Sequence, residues 1–294
     1  MAKGIIEIHE KNLPAAWERS VLECWENGED FETQYDKEGD PLSKDCTARI
    51  IIDEPLSEPR IHKAFPGGLE DLEIYVQEVV HGVHDNWLQK EGNGGDWNYT
   101  YHDRIFKYPS DIDGIDQIQL GIDKLIQSQH TRRAQVVVWS PLLDNKDEHC
   151  PCLQRMHFRI FEDRLRMNVY FRSNDAYKAS FMNMYALIEL QKFVANEISK
   201  GLGREISVGR YIHHADSYHI YGSYFEEFSK FFAMAKNGPI ENRTMSSEDV
   251  RYFLDNGKIT LYNNTQTDIQ LPQHHRDRLY SEIPEDRRSE LMAK

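Results

Sequence analysis

The segment His149-Cys150-Pro151-Cys152 is where residue type and spacing first suggest chemistry. A Cys-x-Cys pair could ligate a metal, but zinc sites want a second pair at a recognisable spacing, and Cys24 and Cys46 do not supply one. Outside a metal site a cysteine is either a small buried hydrophobe or, as the thiolate, a nucleophile. His149 and His157 lie near enough in sequence for a Cys–His hydrolase, yet nothing readable arranges an oxyanion hole beside them. Two arginine motifs bear on the choice. Arg132-Arg133 precedes an apolar run, and Arg172-Ser173 follows another. Either pair alone could make ordinary strand-end salt bridges. Guanidinium forks also match phosphate oxygens, a Ser hydroxyl adds one more donor, and clustered cations favour a nearby thiolate.

Further candidates follow in Arg172-Ser173-Asn174-Asp175, in Asn183, and in Asp216-Ser217-Tyr218-His219-Ile220-Tyr221. A buried Asn offers one acceptor and two donors on one planar amide. It can pair with the N3–H and O4 edge of a uracil, whereas an Asp would suit a cytosine better. The structural alternatives are a helix cap for Asn183 and polar strand tips for His219 and Tyr221.

These residues need elements to hold them. Residues 14–26 read as a helix, with Pro14 suited to its first turn, and residues 46–53 as a strand. Pro66-Gly67-Gly68 is a turn, residues 69–88 carry helical spacing, and residues 92–95 form a glycine-rich loop. Ile115, Ile118, Ile122 and Leu125 share one helical face, and residues 135–139 read as a short buried strand. Met156, Phe158 and Ile160 alternate with polar partners, as do Leu165, Met167, Val169 and Phe171, and Glu162-Asp163 between them predicts a hairpin. Residues 179–199 form a long helix apolar on most sides, hence buried, followed by a strand over 208–221 and a helix over 224–235 that ends at Asn237-Gly238-Pro239. From about residue 240 the chain is polar and poorly periodic, with one helix candidate at 247–255. Hairpin strands beside long buried helices indicate an α+β fold. With no clean linker, residues 1–294 read as a single domain with a C-terminal appendage from about 240 to 294.

Composition narrows the function classes. Of 294 residues, 35 are basic and 49 acidic, a formal charge of 35 − 49 = −14, which argues against a protein that coats nucleic acid. A small phosphorylated ligand needs only a few local arginines. No apolar run approaches a membrane span, and the first residues carry no signal-peptide core. Four cysteines in a chain this long indicate a reducing compartment, so the expected location is cytoplasmic.

Taken together the motifs resemble the thymidylate synthase family. That family carries a nucleophilic cysteine after a proline and an Arg-Ser-x-Asp motif twenty residues later; here 172 − 152 = 20. It carries an Arg-Arg pair twenty residues before the cysteine, and 152 − 132 = 20. It carries an Asn eleven residues after the arginine of Arg-Ser, and 183 − 172 = 11. His219-Ile220-Tyr221 fits its sugar-binding His-x-Tyr, and Tyr101 resembles a further position. The resemblance covers about residues 98–232.

The resemblance implies a large mixed sheet packed by helices, dimerising through the sheet. It implies a homodimer acting on a pyrimidine nucleoside monophosphate, with 5,10-methylenetetrahydrofolate as co-substrate and no metal. Cys152 would add to C6 of the base and turn C5 into a nucleophile. Arg172 and Ser173, with Arg132 and Arg133 from the other subunit, would hold the 5′-phosphate. Asn183 would fix the base, Asp175 would support its pocket, and His219 and Tyr221 would take the sugar hydroxyl. Glu78, ahead of Gly82, is the candidate acid for the proton steps, with Glu73 as the alternative. Trp87 or Trp97 would supply an indole wall.

Several departures from the family pattern stand beside these matches. Leu153 follows the nucleophile where the family commonly has His, and the stretch from Asn183 to His219 is long. The sequence ends Leu291-Met292-Ala293-Lys294, without the apolar tail that closes over folate in the methylating enzymes. Methylation of dUMP is the first expectation, and the missing tail makes 5-hydroxymethylation of dUMP, dCMP or CMP, through admitted water, its competitor. A non-catalytic nucleotide-binding relative is the third, though a pure binder has no use for an activated thiol.

Overall fold

Residues 3–89, 97–108, 114–264 and 271–291 are described by the computed structural model. The expected glycine-rich loop at 92–95 and residues 292–294 lie outside them. In chain order the first elements are β1 (Ile5–Glu10), α1 (Leu13–Asn27), β2 (Glu29–Phe31), β3 (Ser43–Ile52), β4 (Ile61–His62), α2 (Leu69–His81), α3 (Tyr101–Phe106) and α4 (Gln117–Gln127). They are followed by β5 (Gln135–Val137), β6 (Leu153–Phe161), β7 (Arg164–Asp175), α5 (Ser180–Leu202), β8 (Ser207–Ile220) and α6 (Phe225–Ala235). The chain closes with β9 (Thr244–Met245), α7 (Arg251–Asn263) and α8 (Gln273–Glu282).

The main sheet runs β1-β3-β8-β7-β6-β5, with β2 also paired to β3. It is mixed: β1/β3 and β7/β8 are parallel, and the remaining pairs are antiparallel. β4 and β9 form a separate two-stranded sheet. The β6–β7 hairpin follows from its alternation. Leu153, Met156 and Phe158 on β6, and Leu165, Met167, Val169 and Phe171 on β7, point into the core. Glu162 and Asp163 both take positive φ, 51° and 54°, which matches the twist of a tight hairpin turn. The opposite face of the sheet stays partly exposed; there Tyr170 stacks on His214 at 4.3 Å and Arg155 lies 3.8 Å above the Tyr170 ring.

On the core face, α1 starts where Asn12 accepts from the Ala15 amide, with Pro14 in the first turn. Trp17 is fully buried and donates its indole N–H to the Ala176 carbonyl at 3.0 Å, tying α1 to the loop between β7 and α5. The long helix expected at 179–199 is α5, buried along most of its length.

Four expectations change. The helix expected over 69–88 stops at His81, because Gly82 adopts φ 70°, and a Cβ there would lie 2.3 Å from His102 Nδ1. Ile115 does not join the α4 stripe; it precedes the Asp116 cap and is exposed. The short buried strand expected over 135–139 is β5 at Gln135–Val137, which among the described residues pairs only with β6 and leaves Val137 exposed. The helix candidate at 247–255 becomes α7 at Arg251–Asn263, and α8 is an additional helix beyond it. The tail helices have a thin apolar seam of Val83, Leu261 and Leu279, supplemented by polar bonds such as Arg287 to Asn256 and Glu290. That explains their weak periodicity.

Candidate active site

Cys152 sits immediately before β6. Its carbonyl accepts the Arg172 amide at 2.9 Å, so the start of β6 is held against the end of β7. β7 and β8 run parallel in a register that pairs Ser173 with Ser217 and Asp175 with His219, so both chemistry-bearing strand ends finish together. The chain turns after Asp175, whose carboxylate accepts the Tyr177 and Lys178 amides at 3.0 and 2.8 Å, and enters α5 with Asn183 in its first turn. From above come α2, with Tyr75 and Glu78 one turn apart on one face, and the segment 97–101. Together they enclose a cavity of about 620 Å³, a usual size for a ligand site.

Cys152, Ser173, Asp175, Asn183, His219, Tyr221, Glu78, Tyr101 and Trp97 all line this cavity. Arg172 lies beside it, donating Nε to the Pro151 carbonyl at 3.1 Å and Nη2 to the Cys150 carbonyl at 2.8 Å. The two pairs of alternatives separate in space. Glu78 faces the cavity and pairs with His84 at 2.8 Å, whereas Glu73 lies on the other face of α2. Trp97 lines the cavity, whereas Trp87 packs behind it with ring centroids 5.1 Å apart.

Arg132 and Arg133 are not brought to the cavity of their own chain. They are exposed, and His157 Nε2 lies 3.1 Å from the Arg132 carbonyl. Position 157 is five residues along the strand from Cys152, roughly 17 Å at the usual strand rise.

The sequence reading missed two tyrosines in the cavity. Tyr75 donates its hydroxyl to Asn183 Oδ1 at 2.6 Å, and Tyr99 stands next to Tyr101. Tyr75 was findable, since it shares a helical face with Glu78 at a spacing of three. Tyr99 lies in a loop, where no periodicity points at a pocket.

Burial sets the electrostatics. It pushes the Cys152 thiol up; Arg172 pulls the other way and Cys150 adds to the rise. The Asp175 carboxyl is raised to about 6 by burial, against the two amides that hold it. Burial lowers His219 to about 4, so its ring is neutral at pH 7. Ser217 donates its hydroxyl to Asp45, so His219 Nδ1, 3.1 Å from Ser217 Oγ, donates to that oxygen, and Nε2 is left as an acceptor. Burial raises Tyr99 and Tyr221 to about 12 and also drives Tyr75 and Tyr101 well above the usual tyrosine range, so all four remain O–H donors at neutral pH. Among the described residues no group of three or more His, Cys, Asp or Glu could hold a metal ion. Among them, too, no helix is long and apolar enough to cross a membrane.

A half-buried thiol sharing a cavity with a planar amide, a neutral imidazole and protonated tyrosines is a site for covalent chemistry on a polar ring. Comparison with known proteins agrees with that geometry. The sequence model of the family described as "Thymidylate synthase" matches residues 68–271, a wider span than the motifs alone suggested. A relative from Methanocaldococcus jannaschii, named "Putative thymidylate synthase", is 30% identical over 234 residues, covering 76% of this chain and 95% of its own. One of the same name from Methanosarcina acetivorans is 28% identical over 211 residues, covering 71% of this chain and 90% of its own. The fold is similar to that of thermostable thymidylate synthase A from Bacillus subtilis, with a TM-score of 0.56 at 18% identity, over 76% of this chain and 84% of that one. The chain is thus a one-carbon transferase and belongs to the thymidylate synthase family. The family's chemistry is folate-dependent transfer of a one-carbon unit to C5 of a pyrimidine nucleotide.

Proposed function

We propose that the chain converts dUMP to dTMP, using 5,10-methylenetetrahydrofolate, through a covalent adduct of Cys152. The observation that carries this reading is the convergence of Cys152, Asn183, Asp175 and His219 on one cavity. Cys152 Sγ, as the thiolate, adds to C6 of the uracil; the C5–C6 π electrons move to C5 and are delocalised onto O4. Asn183 Nδ2 donates to O4 and stabilises that charge, since Oδ1 already accepts from Tyr75. His219 Nε2 accepts the 3′-hydroxyl of the sugar, and Tyr221 donates to it. Ser173 and Arg172 hold the phosphate.

The cavity also fits the co-substrate: the Trp97 indole gives a flat apolar wall for a fused heteroaromatic ring, and Glu78, steadied by His84, gives a carboxylate to organise the proton steps. When bound, the folate supplies the one-carbon unit and the hydride. Arg132 and Arg133 complete the phosphate site of a second copy, the two sheets meeting on the face that carries Arg155, Tyr170 and His214. The active form is then a homodimer.

The test is to incubate the protein with the folate and, separately, dUMP, dCMP and CMP, and to weigh the nucleotide product. A methyl gain on dUMP with dihydrofolate formed is the expected result. A gain of CH2O with tetrahydrofolate returned would assign the protein as a hydroxymethylase instead. Cys152→Ala should abolish turnover and leave nucleotide binding measurable; full turnover in that variant would sink the nucleophile assignment.

A further inference from the structure

α2 has a second working face. Turned away from Tyr75 and Glu78, its residues Glu73, Val76, Gln77 and Val80 wall another cavity, of about 550 Å³, closed on its other sides by α5, α7 and the stretch after α8. Its most unusual occupant is Arg60, only 6% exposed. Arg60 Nη1 pairs with Glu189 at 2.6 Å, and the guanidinium lies 4.6 Å from the Tyr185 ring centroid. Its Nε and Nη2 are buried without a hydrogen-bond partner. Those two nitrogens share one edge of the guanidinium, the edge that binds a carboxylate or phosphate in bidentate fashion. Buried polar atoms ordinarily find partners, so an unpartnered fork on a residue that lines a cavity calls for one.

Two further features suit a polar occupant. Gln77 Oε1 is buried and unpartnered, its amide nitrogen being used on Glu73 at 2.7 Å. The Lys258 ammonium is ion-paired with Glu73 at 3.8 Å and Glu282 at 3.7 Å, beyond hydrogen-bond distance of either, so its N–H donors are not taken by these carboxylates. We propose that this second cavity binds a small molecule through an oxyanion, carboxylate or phosphate, seated on the Arg60 fork with Lys258 as second cation and Gln77 Oε1 taking a donor of the same ligand. The proposal gives the C-terminal helices a task, because α7 supplies Lys258 and α8 supplies Glu282. It does not depend on which reaction the first cavity performs.

The full chain is titrated with sodium phosphate and with L-glutamate at constant ionic strength, by calorimetry and thermal unfolding. Saturable binding of at least one probe is expected. Phosphate binding would assign a phosphorylated ligand, and glutamate binding a carboxylate. Arg60→Lys keeps the charge and removes the fork, and should weaken binding about tenfold, the loss of one charge-assisted bond. If Arg60→Lys does not fold, Lys258→Gln carries the test with the same expected direction. Binding should survive Ser173→Ala in the first cavity. The proposal is overturned if neither probe binds up to about 10 mM, if both cavity variants that fold bind as the parent does, or if Ser173→Ala abolishes binding.

Discussion

Tyr75 Oη donates to Asn183 Oδ1 at 2.6 Å, and that bond decides which way the Asn183 amide faces. With its oxygen engaged by a buried hydroxyl that stays protonated, the amide turns its N–H donors to the ligand. Uracil presents an acceptor at C4 and cytosine presents a donor, so the bond favours the former. Tyr75→Phe should free the amide to flip. Steady-state kinetics should then show kcat/KM for dUMP falling about tenfold, the size of one buried hydrogen bond, with a smaller preference for dUMP over dCMP. Unchanged base preference would remove Tyr75 from the specificity argument.

The Cys152 thiol is subject to opposing influences, and two variants should move it in opposite directions. Burial raises it, Arg172 lowers it, and Cys150 raises it. The pH profile of alkylation at Cys152 should therefore shift to higher pH in Arg172→Gln and to lower pH in Cys150→Ser. The Cys150→Ser variant also leaves a single accessible thiol at this loop, which makes the readout unambiguous. Parallel shifts in the two variants would show that packing changes, not charge, dominate.

If Arg132 and Arg133 serve a second copy, two inactive proteins should rescue each other. Cys152→Ala keeps the arginines, and the double variant Arg132→Ala, Arg133→Ala keeps the nucleophile. Random mixing by reversible unfolding should restore roughly a quarter of the parental activity, because half of the dimers carry one complete site of two. No rescue, with mixed dimers verified by mass, would place the pair outside the site.

Glu73 provides a pH signature away from the active site. Burial raises its carboxyl from an ordinary 4.5 to about 7, against Lys258 and Gln77. The folded state therefore holds a proton that the unfolded chain releases, and this contribution to stability is complete below about pH 4.5 and lost as pH rises through 7. Urea unfolding should show stability falling across that window, and Glu73→Gln should flatten the fall. An identical slope in Glu73→Gln would assign the dependence to other groups.

Much of this protein was legible in one dimension. The alternation of Leu165, Met167, Val169 and Phe171 requires a half-buried strand, and the break at Glu162-Asp163 requires a hairpin, because side-chain direction along a strand is a local property. The spacings among Cys152, Arg172 and Asn183 were readable in the same way, each being a length along the chain, and the fold brings Cys152 and Asn183 to one cavity with Arg172 beside it, while Arg132 lies away from it. What only the tertiary structure decided is which faces of different elements meet. Glu73 and Glu78 are both acidic residues on one helix, and only the packing of α2 sends Glu78 to the cavity with Cys152 and Glu73 to the one with Arg60. Trp97 fronts the site and Trp87 backs it because Leu88 pairs with Trp97 across a bridge between segments, a contact that no periodicity encodes. The tail helices stayed illegible because their contacts are a thin apolar seam with scattered polar bonds. Such contacts acquire meaning only when the partner surface is in place.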